Sequence, residues 1–144
     1  MTETKTGGCL CGEVAFAVTG DPIAMRDCRC ASYRGWLAAP VHQFTMWPDD
    51  VVAVTSGAVA VKTFLLTPNT ISHRQFCGKC SGAVMVRHPT LGAIDIPAVT
   101  FDALTFVPAL HVNYAETVFP IRDGLPKMKG FPAEFGGTGE TMPE

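Results

Sequence analysis

The stretch that decides the fold is GCLCGEVAFAVT, residues 8–19, because it joins a cysteine pair directly to a strand pattern. Its second half alternates Val14, Phe16 and Val18 with other residues, which is typical of a β-strand that has one buried face. Its first half is a C-x-C pair, Cys9 and Cys11. The stretch therefore predicts a β-protein with two thiols at the beginning of a strand.

The rest of the chain continues this strand pattern. Short apolar runs bounded by Gly, Pro or Asp predict further strands at 51–55, 59–67, 71–76, 83–88, 93–100 and 105–114. Helical periodicity is nearly absent, and only short turns of helix are expected near Pro48 and Phe101. No repeat or linker divides the chain, so we expect one all-β domain over residues 1–144, with little helix and an irregular tail from about residue 118.

Composition restricts the partners and the compartment. The chain has 144 residues, of which 47% are apolar and 17% charged, and its formal net charge of −2 gives it no general attraction to nucleic acids or membranes. The N-terminal residues lack the pattern of a secretory signal, and no apolar run is long enough to span a membrane. We therefore expect a cytoplasmic protein, in a reducing compartment where cysteines more often serve metals or catalysis than disulfides.

The six cysteines form three close pairs, and the first and last pairs fit a metal site. Zinc binds four ligands in a tetrahedron, and two close cysteine pairs from distant parts of a chain can supply them. Cys9 and Cys11 would then join Cys77 and Cys80 around a structural zinc. The alternatives are disulfides or simply buried cysteines, although a disulfide across a C-x-C pair is strained and no export signal precedes it.

The middle pair, Cys28 and Cys30, lies among three arginines. Positive charge from Arg26, Arg29 and Arg34 would favour reactive thiolates. The same arginines could bind the carboxylates of an acidic thiol such as glutathione. The alternative is that all three are solvated surface side chains.

The ordered combination of cysteine pairs resembles the glutathione-dependent formaldehyde-activating enzymes, a family grouped with centromere protein V. The residues that carry the resemblance are GCLCGEV at 8–14, Cys28-Arg29-Cys30 with Arg34, QFCGKC at 75–80, His111-Val112, and Asp123-Gly124-Leu125-Pro126. The resemblance implies a β-tent fold of bent antiparallel sheets around a structural zinc. It also implies glutathione and formaldehyde, or a similar small aldehyde, as partners.

The resemblance further implies two zinc sites, and the chain departs from the second. Cys9, Cys11, Cys77 and Cys80 match the family's structural zinc ligands. Cys28 and Cys30 match two of its three catalytic zinc ligands, but Tyr33 stands where the third cysteine is expected. A tyrosine hydroxyl, with a pKa of about 10, gives up its proton reluctantly and cannot occupy the same position as a cysteine sulfur. We therefore expect the second zinc to be weak or absent unless His42, His73 or Asp27 completes the site.

Two functions follow from these residues. The first is a carbon–sulfur lyase of the formaldehyde-activating type, an S-(hydroxymethyl)glutathione synthase-like enzyme with Cys28 and Cys30 as catalytic residues. The alternative is a non-catalytic zinc-binding module of the same fold that binds a small thiol or a protein partner. His111, Asn113 and Tyr114 could position substrate, or could belong to an ordinary strand with a solvated face. Binding to nucleic acid, suggested only by the centromere-protein relatives, disagrees with an isoelectric point near 6.0.

Overall fold

The polypeptide crosses three times between two units of structure. A computed structural model describes residues 2–144. Unit 1 contains the chain up to residue 23 together with residues 45–105, and unit 2 contains residues 24–44 and 106–144. Each unit is described by itself below.

Strands dominate the described residues, and the only α-helix among them is short. The helix α1 is Ala31–Leu37. The strands are β1 (Thr4–Gly8), β2 (Ala15–Thr19), β3 (Ala24–Cys28), β4 (His42–Pro48), β5 (Val52–Ser56), β6 (Val61–Phe64), β7 (His73–Cys77), β8 (Ala83–His88), β9 (Ala93–Pro97), β10 (Leu110–Val112), β11 (Lys127–Met128) and β12 (Thr141–Met142). The predicted mostly-β class with little helix is confirmed.

Unit 1 contains the strand that the opening stretch predicts. Strand β2 pairs antiparallel with β1 on one side and β5 on the other, and Phe16 lies opposite Gly7 and Val54. Phe16 and Val18 are buried on one face of β2, as their alternation predicts. Strands β9, β8, β7 and β6 follow one another in that order, and each neighbouring pair is antiparallel.

The core of unit 1 is built from aromatic and branched side chains. The rings of Phe16 and Phe101 meet edge to face, with centroids 5.1 Å apart. Trp47 is completely buried, and its indole N–H donates to Thr45 Oγ1 at 2.7 Å. The Thr45 hydroxyl in turn donates to the carbonyl of Ile96 at 2.9 Å, so the polar side-chain atoms of Trp47 and Thr45 are both hydrogen-bonded.

Unit 2 places the middle cysteine pair at the end of a strand. Its strands lie in the order β12, β11, β10 and β3, and β10 is parallel to both β3 and β11. In this register Val112 lies opposite Cys28, the last residue of β3. Helix α1 begins three residues later, at Ala31 directly after Cys30, and none of its residues is buried. No helix among residues 2–144 is long and apolar enough to span a membrane.

Candidate metal centre and second thiol pair

Four cysteines of unit 1 converge at the ends of its strands. Cys9 directly follows β1, and Cys11 lies in the turn that leads to β2. Cys77 ends β7, and Cys80 lies in the turn between β7 and β8. Their four sulfur atoms all lie within 4.8 Å of one another. The structure thus brings together the four thiols that the sequence groups as structural metal ligands.

Backbone amides hold these sulfurs in place. The N–H of Val14 donates to Cys9 Sγ at 3.3 Å, and the N–H of Lys79 donates to Cys77 Sγ at 3.3 Å. Cys77 is completely buried, whereas Cys11 is exposed. The cluster therefore extends from the core of unit 1 to its surface, which gives a metal ion a route of entry.

The thiols of this cluster differ in how readily they ionise. Amide groups of Cys11 and Gly82 donate to Cys80 and lower the pKa of its thiol to about 6. The amide of Glu13 also lowers the pKa of Cys11, but desolvation and the neighbouring sulfurs outweigh it and raise that pKa to about 11. Adjacent thiolates repel one another, and a bound cation would remove this repulsion.

The spacing of the sulfurs fits a tetrahedral metal ion. A zinc–sulfur distance of about 2.3 Å makes the edge of a regular S₄ tetrahedron about 3.8 Å. The Cys9 and Cys11 sulfurs are 3.7 Å apart, and those of Cys11 and Cys77 are 3.9 Å apart. The cluster is therefore a candidate metal centre with four protein ligands.

The second thiol pair lies in unit 2 and is held by different contacts. Cys28 is buried and accepts a hydrogen bond from Asn113 Nδ2 at 3.4 Å. Cys30 is less buried, and its sulfur accepts the N–H of Tyr33 at 3.4 Å. A hydrogen bond with Cys30, together with burial, raises the pKa of Cys28 far above its usual value. Asn113 reaches Cys28 because β10 runs parallel to β3, a pairing that the sequence does not reveal.

Within residues 2–144, the structure brings no further Cys, His, Asp or Glu side chain to this pair as a third metal ligand. Among residues 2–144, the four-cysteine cluster is the only group of three or more Cys, His, Asp or Glu residues whose ligand atoms lie close enough to share a metal ion. The ring of His42 stacks on Tyr33 with centroids 4.7 Å apart. Asp27 lies beside His111, with Oδ2 3.7 Å from Nδ1, and His73 belongs to unit 1.

Each of the three arginines that the sequence predicts to bind glutathione contacts a side chain or a backbone carbonyl of the protein itself. The guanidinium of Arg26 lies 4.6 Å from the centre of the Phe135 ring. Arg29 is buried and donates to the carbonyl of Phe119 at 2.8 Å. Arg34 donates to the carbonyls of Arg29 and Glu116, each at 3.1 Å, and is the most exposed of the three. Their role in binding glutathione stays a prediction.

Arg29 begins a chain of polar contacts that passes through the buried His111 to Asp123 near the surface. Because a guanidinium can only donate, its contact with His111 Nδ1 at 3.2 Å makes that nitrogen the acceptor. His111 Nε2 therefore carries the proton and donates to Asp123 Oδ2 at 2.8 Å. Burial opposes ionisation of Asp123, but Lys127 and His111 outweigh it and hold the pKa of that carboxyl well below its usual range. This chain ties residue 29, between the two cysteines, to the Asp123-Gly124-Leu125-Pro126 segment.

A shallow groove lies along one side of α1, directly after Cys30. It has a volume of about 380 Å³. Its lining residues are Ala31, Arg34, Gly35, Ala38, Ala39, Pro40 and Val118. Apart from Arg34 the lining is apolar, and most of its side chains are small.

Fold and site together define a mostly-β protein with a four-cysteine candidate metal centre. Residues 4–116 match the family described as glutathione-dependent formaldehyde-activating enzyme, and this match covers more than half of the chain. The chain belongs to that family. A comparison with curated proteins finds no match.

One solved structure supports the fold independently. It is the crystal structure of a protein from Rhodobacter sphaeroides, determined as a structural-genomics target, with a TM-score of 0.56. The match covers 69% of this chain and 90% of the other chain, at 16% sequence identity. At that identity the likeness shows the fold alone.

Proposed function

We propose that this protein is a carbon–sulfur lyase of the formaldehyde-activating type, acting on the adduct of a small aldehyde and a thiol such as glutathione. The observation that carries the proposal is the paired Cys28 and Cys30, positioned at the junction of β3 and α1 in a member of this family. In the synthetic direction the thiol sulfur bonds to the aldehyde carbon, and the thiol proton goes to the carbonyl oxygen. The reverse reaction breaks that carbon–sulfur bond.

We further propose that zinc occupies the four-cysteine cluster as a structural ion. Four thiolates in a tetrahedron favour zinc over the hard cations, which prefer oxygen. Thiols only 3.7 Å apart remain available as ligands where they are kept reduced, so we place the working protein in the cytoplasm. Closed by four protein ligands, this ion leaves no position for substrate, and the reaction belongs to the second pair.

At the second pair, Cys28 and Cys30 would hold a labile zinc ion, with the substrate sulfur as a further ligand. A zinc ion bound there would lower the pKa of the substrate thiol. Asn113 orients the Cys28 sulfur through its amide. Arg34, the most exposed of the three arginines, borders the groove, and in this proposal its guanidinium binds a carboxylate of glutathione.

The test combines metal content with the rate of adduct formation. Zinc per chain is measured with and without glutathione, and exchange between formaldehyde and its glutathione adduct is followed by ¹³C NMR. We expect one zinc per chain without glutathione, a rise toward two zinc ions per chain with glutathione, and exchange that is faster with the protein than in buffer. The Cys28→Ser/Cys30→Ser double variant is the matched control, which should keep the first zinc and lose both effects. Exchange that is equally fast in the double variant would contradict the proposal.

The second candidate function is a non-catalytic module that binds a small thiol or a protein partner. It is favoured by Tyr33, whose ring stacks on His42 at the position where the family's third ligand is expected. In this case the wild-type protein holds one zinc whether or not glutathione is present. Tyr33→Cys should then add a second zinc, because the spacing of residues 30 and 33 repeats that of Cys77 and Cys80. Two tightly bound zinc ions in the wild-type protein would remove the basis of this alternative.

A further inference from the structure

Unit 1 contains a hydrogen-bonded line of serine, histidine and carboxylate that takes no part in the thiol chemistry. Ser72 Oγ lies 3.3 Å from His88 Nδ1. His88 Nε2 lies 2.8 Å from Asp95 Oδ2. The three residues come from the turn before β7, the end of β8 and the middle of β9. Serine, histidine and carboxylate in this order can activate a hydroxyl as a nucleophile, although here Nδ1 faces the serine and Nε2 faces the carboxylate, the reverse of the usual triad.

The roles of the three side chains follow from their hydrogen bonds. The Asp95 carboxylate accepts, so His88 Nε2 carries the imidazole proton. This leaves the lone pair of Nδ1 directed at the Ser72 hydroxyl, where it can accept the serine proton. The 3.3 Å separation is longer than an ideal hydrogen bond but within the range of nucleophile–base pairs in the absence of substrate.

His88 and Asp95 are shielded from solvent, whereas the serine stays partly accessible. The side chains of His88 and Asp95 are each only 8% exposed, so their interaction is poorly screened by water. Ser72 is half-buried. Its neighbour Ile71 is 52% exposed, and Leu91, in the turn after His88, is 53% exposed. An apolar acyl chain could contact these two side chains while its carbonyl meets Ser72.

The register of the strands fixes this geometry. His73 lies opposite Arg87, which brings Ser72 beside His88 at the same end of the β7–β8 pair. His88 lies opposite Ala93, two residues before Asp95 on the same face of β9. His88 and Asp95 lie on paired strands and Ser72 directly precedes β7, so the base and its carboxylate are held more rigidly than side chains in a free loop would be.

We propose that Ser72 is a nucleophile for acyl transfer, with His88 as its base and Asp95 as the residue that positions the base. The substrate class is carboxylic esters with a short apolar acyl chain. Ser72 Oγ bonds to the acyl carbon, its proton passes to His88 Nδ1, and the alcohol leaves with that proton. Water then attacks the acyl-serine by the same route, releasing the carboxylic acid and restoring Ser72. This activity goes beyond the thiol chemistry proposed for unit 2.

The test is covalent labelling of the full-length, metal-loaded protein with an alkyl fluorophosphonate. The probe forms a phosphorus–oxygen bond to an activated serine and releases fluoride, and peptide mass spectrometry locates the label. We expect one label per chain, on Ser72. Ser72→Ala should abolish it, and His88→Gln should slow it by roughly 10²-fold or more, as removal of a general base does. Ser56→Ala, which removes an exposed serine elsewhere in unit 1, should label like the wild type.

Hydrolysis of 4-nitrophenyl butyrate gives a second readout with the same variants. Loss of turnover in Ser72→Ala, with Ser56→Ala unchanged, supports the proposal. Labels on other residues with none on Ser72 overturn it, as do equal labelling rates in the wild type and in a folded His88→Gln variant. If His88→Gln does not fold, the comparison of Ser72→Ala with Ser56→Ala decides. A cross-strand pair that only stabilises the hairpin would give no label on Ser72.

Discussion

Replacing Gly57 with alanine should destabilise unit 1 and disturb the four-cysteine cluster together. Gly57 has a left-handed backbone, with φ at +72°, and it lies against Glu13 and Val14, in the segment between Cys11 and β2. A Cβ added there would lie 1.9 Å from the carbonyl oxygen of Glu13 and 2.7 Å from its carbonyl carbon. Both are backbone atoms, so no side-chain rotation can relieve the contact.

Two costs add in this variant. A non-glycine residue in the left-handed region costs about 1–2 kcal/mol. Forcing the neighbouring backbone aside costs about a further 1–3 kcal/mol, as in overpacked cores. We therefore expect the free energy of unfolding to fall by roughly 2–5 kcal/mol. Because Glu13 lies two residues after Cys11, we also expect weaker metal binding.

Gly92→Ala is the matched control. Gly92 also has a left-handed backbone, with φ at +60°, but an added Cβ there would meet no atom within 4 Å. Gly92→Ala should lower the free energy of unfolding only by the cost of a left-handed backbone, about 1–2 kcal/mol, and leave metal affinity unchanged. Urea unfolding and competition with a zinc chelator measure the two effects. Equal losses in the two variants would refute the steric reasoning, and unchanged metal affinity in Gly57→Ala would refute the link to the cluster.

Three further predictions concern buried charge and metal. Lys127→Met should lower the free energy of unfolding by about 3 kcal/mol, because this variant removes the buried partner of Asp123. The control is Lys129→Met, which loses only an exposed ion pair and should change the free energy of unfolding by less than about 0.5 kcal/mol in urea titrations. Because the pKa of Asp123 is lowered by folding, its stabilising contribution is complete above the unfolded carboxyl pKa of about 3.9 and is lost as the pH falls below it. Unfolding measured from pH 5 downward should show that loss, and Asp123→Asn should lack it. Removing the metal from the four-cysteine cluster with a chelator should lower the free energy of unfolding by roughly 10 kcal/mol, which is comparable with the whole stability of a domain. It should also abolish the near-ultraviolet circular dichroism of the buried Trp47. An unchanged signal after chelation would contradict this prediction.

The parts of the fold that the sequence predicted are the strands with an ordinary apolar pattern. Strand β8 begins and ends at the predicted residues, and β2 has the predicted buried face. Strand β3 was missed because it buries Arg26 and Asp27, which read as surface residues. Helix α1 was missed because it buries no residue and so has no apolar stripe. Strand β4 was missed because five of its seven residues are buried, so it shows no alternation.

The sequence predicts the parts of the candidate site that depend on the spacing of cysteines, and it does not predict the contacts that depend on how the strands pair. Cysteine spacing alone grouped the four sulfurs that the structure brings together. The contact between Asn113 and Cys28 depends on the parallel pairing of β10 with β3, which no local pattern signals. The burial of Arg29 was equally hidden, because its partners Phe119 and His111 are some 80–90 residues away in the chain.

The most direct test of the account is the coordination of the metal in the purified protein. Zinc-edge X-ray absorption should show four sulfur neighbours at about 2.3 Å, with one zinc per chain. The spectrum should be the same in the Cys28→Ser/Cys30→Ser double variant, and the zinc should be lost in Cys77→Ser, which removes the most buried ligand. Nitrogen or oxygen neighbours, or a zinc that survives in Cys77→Ser, would contradict a metal centre formed by Cys9, Cys11, Cys77 and Cys80.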